Sequence, residues 1–409
     1  MRRVGLLALA ALSCSAQPQL CFTKATRSDF TLGLVGEPVT ARVRSPLFCV
    51  QAVKATAVVT VLDPNGVSVD IDGEPTRSAV HRPEGGFDTD VSFVPTLPGT
   101  YRVVARFEPG LGMVQDAVVV AEDRRDAGPD IVVTSAPQLL LGCSHVDVTD
   151  AGHVICLSPT TALFSRDGGV LAELEGPAVR DGQVYWGLGA KLSRRVERDD
   201  GALEHTSTAS GSCGIAAPFE GGVLCDEGTG VRGFGWFPDA GLSGAFSIET
   251  QVKNLRSVWA SGRLYLAAGD RPDDSFGLSS QYCVGVFNDS HPCARGLSES
   301  FNDPRFIAVS RGGIWAAVTE EAEPRSLLRV DGTLTELRLA LPPGWQELAS
   351  QPRWDTSPVV ISPSNERWYV FEPSPAEVTL QRFPELTLIS ATTRWVTFSS
   401  GSTVMLFRR

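Results

Sequence analysis

A turn followed by a short apolar or aromatic run recurs along the larger, C-terminal part of the chain, and no other feature narrows the fold as much. The run appears as Gly152-His153-Val154-Ile155-Cys156-Leu157, Gly182-Gln183-Val184-Tyr185-Trp186, Gly222-Val223-Leu224-Cys225, Gly262-Arg263-Leu264-Tyr265-Leu266 and Gly313-Ile314-Trp315-Ala316-Ala317-Val318. Two looser copies follow, Glu366-Arg367-Trp368-Tyr369-Val370-Phe371 and Thr393-Arg394-Trp395-Val396-Thr397-Phe398. Between them lies a second kind of turn: Asp167-Gly168-Gly169, Asp199-Asp200-Gly201, Asp239-Ala240-Gly241, Asn288-Asp289-Ser290 and Asp331-Gly332-Thr333, with Pro373-Ser374-Pro375 in that place in the sixth copy. Each copy therefore holds four short strands in about 40 residues, and such a unit buries its apolar face only by stacking on its neighbours.

Four strands per period of about 40 residues is the signature of propeller blades. The expected ring spans residues 131–409 and has seven blades, with six or eight as alternatives because the spacing is uneven. The seventh copy ends after its third strand, at residues 404–407, and residues 131–141 are expected to supply the missing one. That closure pairs the ends of the segment and removes two sheet edges. The resemblance is to β-propellers in general. The Trp354-Asp355 dipeptide occurs once, so this is no WD-repeat array. Ser165-Arg166-Asp167-Gly168-Gly169 resembles part of a sialidase-type Asp box, without its closing aromatic; in that family the box is a structural turn.

Cysteine spacing supports the same all-β reading. Setting Cys14 aside, the other eight cysteines fall into four close pairs. A disulfide needs Cα atoms about 5.5 Å apart, a separation met by facing residues of neighbouring antiparallel strands. Cys143 and Cys156 are centred on Thr149-Asp150, Cys213 and Cys225 on Phe219, and Cys283 and Cys293 on Asn288-Asp289. All three centres are turn-type sequence flanked by apolar residues. Cys21 and Cys49 form the remaining expected pair, closing a longer loop. There is no CxxC and no Cys/His cluster at zinc spacing, so no metal is expected from these thiols.

The N-terminus reads as an export signal. Met1-Arg2-Arg3 precedes an apolar run over residues 4–12, too short to span a bilayer. Two processing readings compete. Ala11-Leu12-Ser13-Cys14 resembles a bacterial lipoprotein box, in which Cys14 would be lipidated. It departs from that box in holding Ala11 and Leu12 where a Leu and a small residue are usual. The other reading is ordinary cleavage after Ala16. Either removes Cys14 from the thiol pool and leaves residues 1–16 as leader. The expected locations are the outer membrane or periplasm as a lipoprotein, or the medium as a secreted protein. Membrane contact is expected through an N-terminal lipid anchor alone.

Residues 17–122 carry about seven short alternating runs separated by turn signals, which argues an antiparallel β-sandwich. Asp63-Pro64-Asn65-Gly66 is a strong turn. In Leu97-Pro98-Gly99-Thr100-Tyr101, a Pro-Gly turn feeds a strand through a tyrosine, as at a sandwich corner where the phenol bonds nearby backbone. This run resembles the immunoglobulin-like modules of bacterial surface proteins, although the antibody-type Cys…Trp…Cys core is lacking. The resemblance implies a spacer or adhesive unit. Asp70-Ile71-Asp72-Gly73-Glu74 has the alternate carboxylates of a calcium loop, but a hairpin turn accounts for it equally well. Residues 123–130 are charged, broken by Gly128-Pro129, and read as a linker.

Function is far less constrained. A net charge of −11 argues against a nucleic-acid partner. Gly211-Ser212-Cys213-Gly214 and Gly241-Leu242-Ser243-Gly244 lack the spacing of a nucleophile elbow, and no HExxH or phosphate-binding loop occurs. Paired cysteines are poor nucleophiles, since the thiolate is the reactive species. His145 and His153 flank a predicted hairpin turn, but two imidazoles without a third ligand make a poor metal site, and both are expected to be surface or hydrogen-bonded residues. Asp273-Asp274 and Glu320-Glu321 are acid pairs whose members, on a strand, point to opposite faces. Residues 269–277 are a candidate rim loop. No catalytic, cofactor-binding or metal-binding residue is assigned. The reading is a non-catalytic cell-envelope binding or scaffold protein whose propeller face takes protein or glycan. The alternative is a propeller-type extracellular hydrolase or lyase acting on glycan or peptide, which needs acids or arginines from several blades converging on the axis.

Overall fold

The computed structural model describes residues 31–409 apart from 45–54, 75, 82–87, 109–111, 175, 199, 220, 227–229, 238–240, 250–252, 262–263, 271–279, 287–293, 297–300, 321–324, 331–335, 349–352 and 375–376. Among the described residues the only helix is the single turn Gln138–Leu141; the rest of the regular structure is β.

The N-terminal part forms two sheets around one core. Val39–Arg44 pairs antiparallel with Asp88–Phe93, and their alternate residues Val39, Ala41, Val43, Val91 and Phe93 are buried. They face Ala57, Val59 and Val61 of Ala55–Leu62, and Tyr101, Val103 and Ala105 of Gly99–Glu108. This period of two places one face of each strand inside. Each buried valine contributes roughly 1.5–3 kcal/mol before chain entropy is counted. The Tyr101 hydroxyl accepts the backbone N–H groups of Thr96 and Leu97, each at 3.0 Å, so the phenol locks the Pro95–Gly99 turn as the sequence predicts.

The C-terminal part is a β-propeller arrangement. Five consecutive four-stranded antiparallel sheets, at residues 145–174, 178–213, 216–249, 253–296 and 301–340, form five blades. The first strands of the second to fifth sheets contact one another in turn, and that of the first contacts Thr387–Ala391, so these strands surround the axis. Two further units continue the chain. In the first, Gln346–Glu347, Val359–Ile361, Arg367–Ser374 and Glu377–Arg382 pair in order. In the second, Thr387–Ala391, Trp395–Ser400 and Thr403–Arg408 take Ile131–Val133 as their fourth strand, with Val404 opposite Val133 and Leu406 opposite Ile131. Ile131 and Val133 point into the core and Val132 outward, so a three-residue strand is enough to cover that edge.

The two parts share a sheet. Glu377–Arg382 pairs in parallel with Gly112–Asp123, matching Gln381 to Glu122 and Arg382 to Asp123. Thr379 donates to the Val120 carbonyl at 2.6 Å, and Thr100 to that of Val378 at 2.7 Å. Val119 and Ala121 pack with Trp368, Val378 and Leu380. The segment after Asp123 stays bonded: Arg124 N–H donates to the Arg382 carbonyl at 2.7 Å, and Asp130 accepts the Arg408 N–H at 2.7 Å.

Candidate functional site at the propeller axis

The strand His145–Val148 sets the site. All four residues are buried. Val146 and Val148 point into the core between sheets, so alternation turns His145 and Asp147 to the other face, toward the axis. Arg180, on Ala178–Asp181, meets Asp147 there. The axis then divides into three zones.

The middle zone is a belt of buried charge. Asp147 Oδ2 accepts Arg180 Nη1 at 2.6 Å and Arg394 Nη2 at 3.0 Å. Arg180 also donates to the carbonyls of Val148 at 3.0 Å and Gly182 at 2.6 Å. Burial opposes its charge most strongly of any single cause, but Asp147, Tyr185 and Asp150 together outweigh it and raise the guanidinium above its usual value. Asp355 bonds the Thr393 hydroxyl and lies 3.7 Å from Arg311 Nε. Burial, reinforced by the negative charge of Asp147, pushes the Asp355 carboxyl up to about 6. Five separate segments thus contribute to one charged cluster, and its members largely neutralise one another.

One end of the axis is a cavity of about 390 Å³. Its walls come from all five blades and from Arg353-Trp354, and most of the lining is apolar. Trp354 continues the ring by bridging in parallel to Val309. Two polar side chains in the lining stand opposite each other in strand register, His145 and Ser158. Each is only 3% exposed, and neither His145 Nε2 nor Ser158 Oγ has a hydrogen-bond partner. Burial drives the His145 pKa down to about 4, with Asp147 pulling it up and Arg353 pushing it further down. The imidazole is neutral at pH 7. Arg353 reaches across to donate to Ser144 Oγ at 3.3 Å.

Both described disulfides frame this cavity. Cys143 is joined to Cys156, with Cα atoms 5.7 Å apart, and Cys213 to Cys225 at 5.2 Å. Ser144-His145 follows Cys143, Leu157-Ser158 follows Cys156, and Gly214-Ile215-Ala216 follows Cys213; of these residues all but Ser144 line the cavity. Asp226 Oδ1 fixes the third segment by accepting the N–H groups of Gly214 at 2.7 Å and Ile215 at 2.8 Å. The second bond differs from the simple hairpin pairing expected. Cys213 ends Leu203–Cys213, the outer strand of the second blade, whereas Cys225 lies on Gly222–Asp226 of the third, so this disulfide ties two blades together. Cys14, Cys21, Cys49 and Cys293 lie outside the described residues, and Cys283 lies on Ser280–Val286.

The opposite end is a larger cavity of about 590 Å³, lined by Arg311, Glu372, Arg394 and Arg409 among others. These groups are engaged. Glu372 pairs with Arg329 at 2.7 Å. Arg409 donates to Gln381, the Thr392 carbonyl and the Val370 carbonyl at 3.1, 2.9 and 2.6 Å, and burial lowers its pKa to about 9.

Other residues singled out in the sequence fall elsewhere. His145 and His153 are not brought together: register places His145 against Ser158, while His153 sits beside the turn and bonds Glu197 at 3.2 Å. Glu197 also accepts the Tyr185 hydroxyl at 2.7 Å within the second blade, so the His153 contact links the first two blades. The expectation of a surface or hydrogen-bonded state thus suits His153, whereas His145 is buried with Nε2 unpartnered. Ser165–Gly169 is a turn, with Gly168 at φ 89° and Ser165 bonded to Asp167. Asp70–Glu74 is a tight turn closed by Ile71 and Glu74. Residues 271–277, Asp273-Asp274 included, and Glu321 lie outside the described residues. The residues that sequence reasoning missed include Asp147, Ser158, Arg180, Arg256 and Arg353. The segment Arg353-Trp354-Asp355-Thr356 occupies an inner-strand position of the repeat but lacks its apolar pattern, and that gap was the available signal.

No family model matches the chain, and no curated protein matches it. Among solved structures, the chain is similar to one described as the mitotic checkpoint complex, at 11% identity and a TM-score of 0.44 over 70% of this chain and 93% of that one. It is also similar to a quinoprotein alcohol dehydrogenase-like protein from Bacteroides thetaiotaomicron, at 10% identity and a TM-score of 0.37 over 95% and 93%. A third is AztD of Citrobacter koseri, at 11% identity and 0.38 over 59% and 72%. These likenesses are distant and carry no functional argument.

Proposed function

We propose that this protein is an exported cell-envelope binding or scaffold protein that uses a propeller face to hold protein or glycan. The observation that supports it is the contrast along the axis. Acids and arginines do converge there from several blades, as an enzyme would require, but Asp147 and Asp355 are bonded to arginines and a hydroxyl and line neither cavity. The framed cavity presents apolar wall, two arginines and a neutral histidine instead, a recognition surface rather than an acid–base pair. On this reading the ring has seven blades, the unit of residues 346–382 being the sixth and that closed by Ile131–Val133 the seventh. Residues 17–122 form an immunoglobulin-like module that serves as a spacer, and Cys14 anchors the chain by its lipid.

The test is binding of purified full-length protein to a glycan array and to a panel of envelope proteins, with turnover assayed on the same panels. Saturable binding without turnover, weakened by Arg256→Ala, agrees with the proposal. Turnover abolished by Asp355→Asn would overturn it in favour of a hydrolase or lyase. That second reading rests on one feature: a carboxyl with a pKa near 6 suits a general acid.

A further inference from the structure

Of the buried side-chain polar atoms without a hydrogen-bond partner among the described residues, His145 Nε2 and Ser158 Oγ are set apart by belonging to side chains that line one cavity. Buried polar groups are almost always hydrogen-bonded, and each one left alone costs about 1–3 kcal/mol. His145 Nε2 and Ser158 Oγ lie on adjacent strands, in register, on the wall of one cavity. Both belong to segments held by Cys143–Cys156. The disulfide, the bonded backbone and the apolar packing around Val146 and Cys156 fix their positions. A rigid frame that leaves two polar atoms without partners is a frame that receives a partner from outside.

Three properties define that partner. First, its size: about 390 Å³ falls within the ~300–1,000 Å³ of small-molecule sites. Second, its charge: Arg256 and Arg353 line the cavity, no acidic side chain does, and the histidine is a neutral donor or acceptor. Third, its body: Ile215, Val258, Val309 and Trp354 offer apolar and aromatic wall. A free sugar fits poorly, because its many hydroxyls would meet few polar groups on that wall. A compact anion with a flat apolar body fits all three.

We infer that the cavity is a binding site for small aryl carboxylates, in which one carboxylate oxygen takes hydrogen bonds from His145 Nε2 and Ser158 Oγ, Arg353 supplies the counter-charge, and the ring lies against Trp354 and Val309. The inference rests on the propeller face being a binding face, and it adds a small-molecule subsite to the larger contacts with protein or glycan.

The test is calorimetry and ligand-observed NMR on the full-length oxidised protein, with benzoate, phenylacetate and indole-3-acetate as probes and their primary amides as matched controls. The acids bind with Kd of about 10 μM to 1 mM, and the amides about tenfold or more weaker. Arg353→Ala weakens the acids about tenfold and leaves the amides unchanged, since it removes charge assistance. Ser158→Ala weakens both acids and amides, because it deletes a donor that either can use. His145→Gln serves as a further probe if it folds; Ser158→Ala and Arg353→Ala decide the matter if it does not. No binding of any acid to folded protein at about 10 mM overturns the inference, because it would place the site beyond useful affinity. Binding that is indifferent to both Ser158→Ala and Arg353→Ala overturns it too. Array binding in the same preparation keeps the two readings separate: array binding retained without carboxylate binding removes the subsite alone, whereas turnover removes the binding-protein reading.

Discussion

The belt and the framed end of the axis are built by the same fold and yet hold their polar groups differently. Toward the belt, buried charges face opposite charges or several acceptors: Asp147 Oδ2 takes Arg180 and Arg394, and Arg409 finds three acceptors, although Asp147 Oδ1 and Arg394 Nε form no hydrogen bond. At the disulfide-framed end, His145 Nε2 and Ser158 Oγ are buried and unmatched. A buried charge held by an opposite charge helps specify a fold, whereas a neutral polar atom left unbonded on a cavity wall is placed to receive a partner. On this comparison the belt holds the ring together and the framed cavity is for use.

The largest effect belongs to the belt. Arg180→Met leaves Asp147, 1% exposed, with Arg394 as its ion-pair partner. Breaking a buried pair from one side costs about 3–5 kcal/mol, because the orphaned charge stays in place. Arg353→Met, at the half-buried edge of the cavity, should cost less than about 1 kcal/mol. Urea unfolding of the two variants measures both. Equal losses would erase the distinction between the two ends.

The pH response sharpens it. The folded His145 has its pKa depressed to about 4, below an unfolded value near 6.5. Its contribution is present above about pH 6.5 and is lost as pH falls toward 4, by about 3 kcal/mol at most. Asp355 works in the other direction. Its folded pKa is raised to about 6 over an unfolded 3.8, so its contribution is present at low pH and is lost as pH rises through 6. In the native protein the two offset each other between pH 4 and 6. Asp355→Asn should therefore steepen the acid loss of stability over that window, and Asp355→Asn with His145→Gln should flatten it. Denaturation midpoints at intervals from pH 7 to pH 4 provide the measurement. An unchanged slope in Asp355→Asn would contradict the assignment.

Oxidation comes next. Replacing Cys213 and Cys225 by alanine opens a link of sequence separation 12, worth about 2–3 kcal/mol in the chain-entropy model. Since that bond precedes Gly214-Ile215-Ala216 on the cavity wall, the double variant should also lose aryl carboxylate binding by more than the native protein loses on Arg180→Lys. Titration of benzoate into both variants compares them. If the alanine variant is destabilised but binds normally, the disulfide is a staple for the blades and not for the cavity.

These contrasts also separate what could be read in the sequence from what could not. Blade periodicity was visible because each strand carries its own signal: a turn, then a short apolar run that is buried throughout, as in Val154–Ser158 or residues 314–318. The bonding of Cys143 to Cys156 was visible because the turn at Thr149 lies midway between them. The closing strand at Ile131–Val133 was visible because the last copy was one strand short. The axis was not. Asp147, Arg180, Asp355 and Arg394 come from segments up to 247 residues apart, and no local spacing encodes their meeting. His145 looked like an ordinary histidine beside a turn; the register sets it against Ser158, and burial leaves His145 Nε2 and Ser158 Oγ without partners. Cys213 was paired correctly but placed on the wrong strand, since spacing gives the turn between two cysteines and not the sheet to which each belongs.

The smallest expected effect is the most discriminating. Ser158→Ala removes a hydroxyl that is buried and bonded to nothing, so the unliganded protein should keep its stability or gain about 0.5–1 kcal/mol. The same variant should bind aryl carboxylates more weakly. A residue that serves only the fold cannot behave in this way, since its loss lowers stability, or changes nothing at all. Thr161→Val, close by on the same blade but with its hydroxyl bonded to the Gly176 carbonyl at 3.0 Å, is the control. It should lose about 1 kcal/mol of stability and leave binding intact. Thermal unfolding and benzoate titration of the two variants should therefore move in opposite senses. If both simply lose stability, Ser158 is part of the scaffold, and the framed cavity is no different in kind from the belt beneath it.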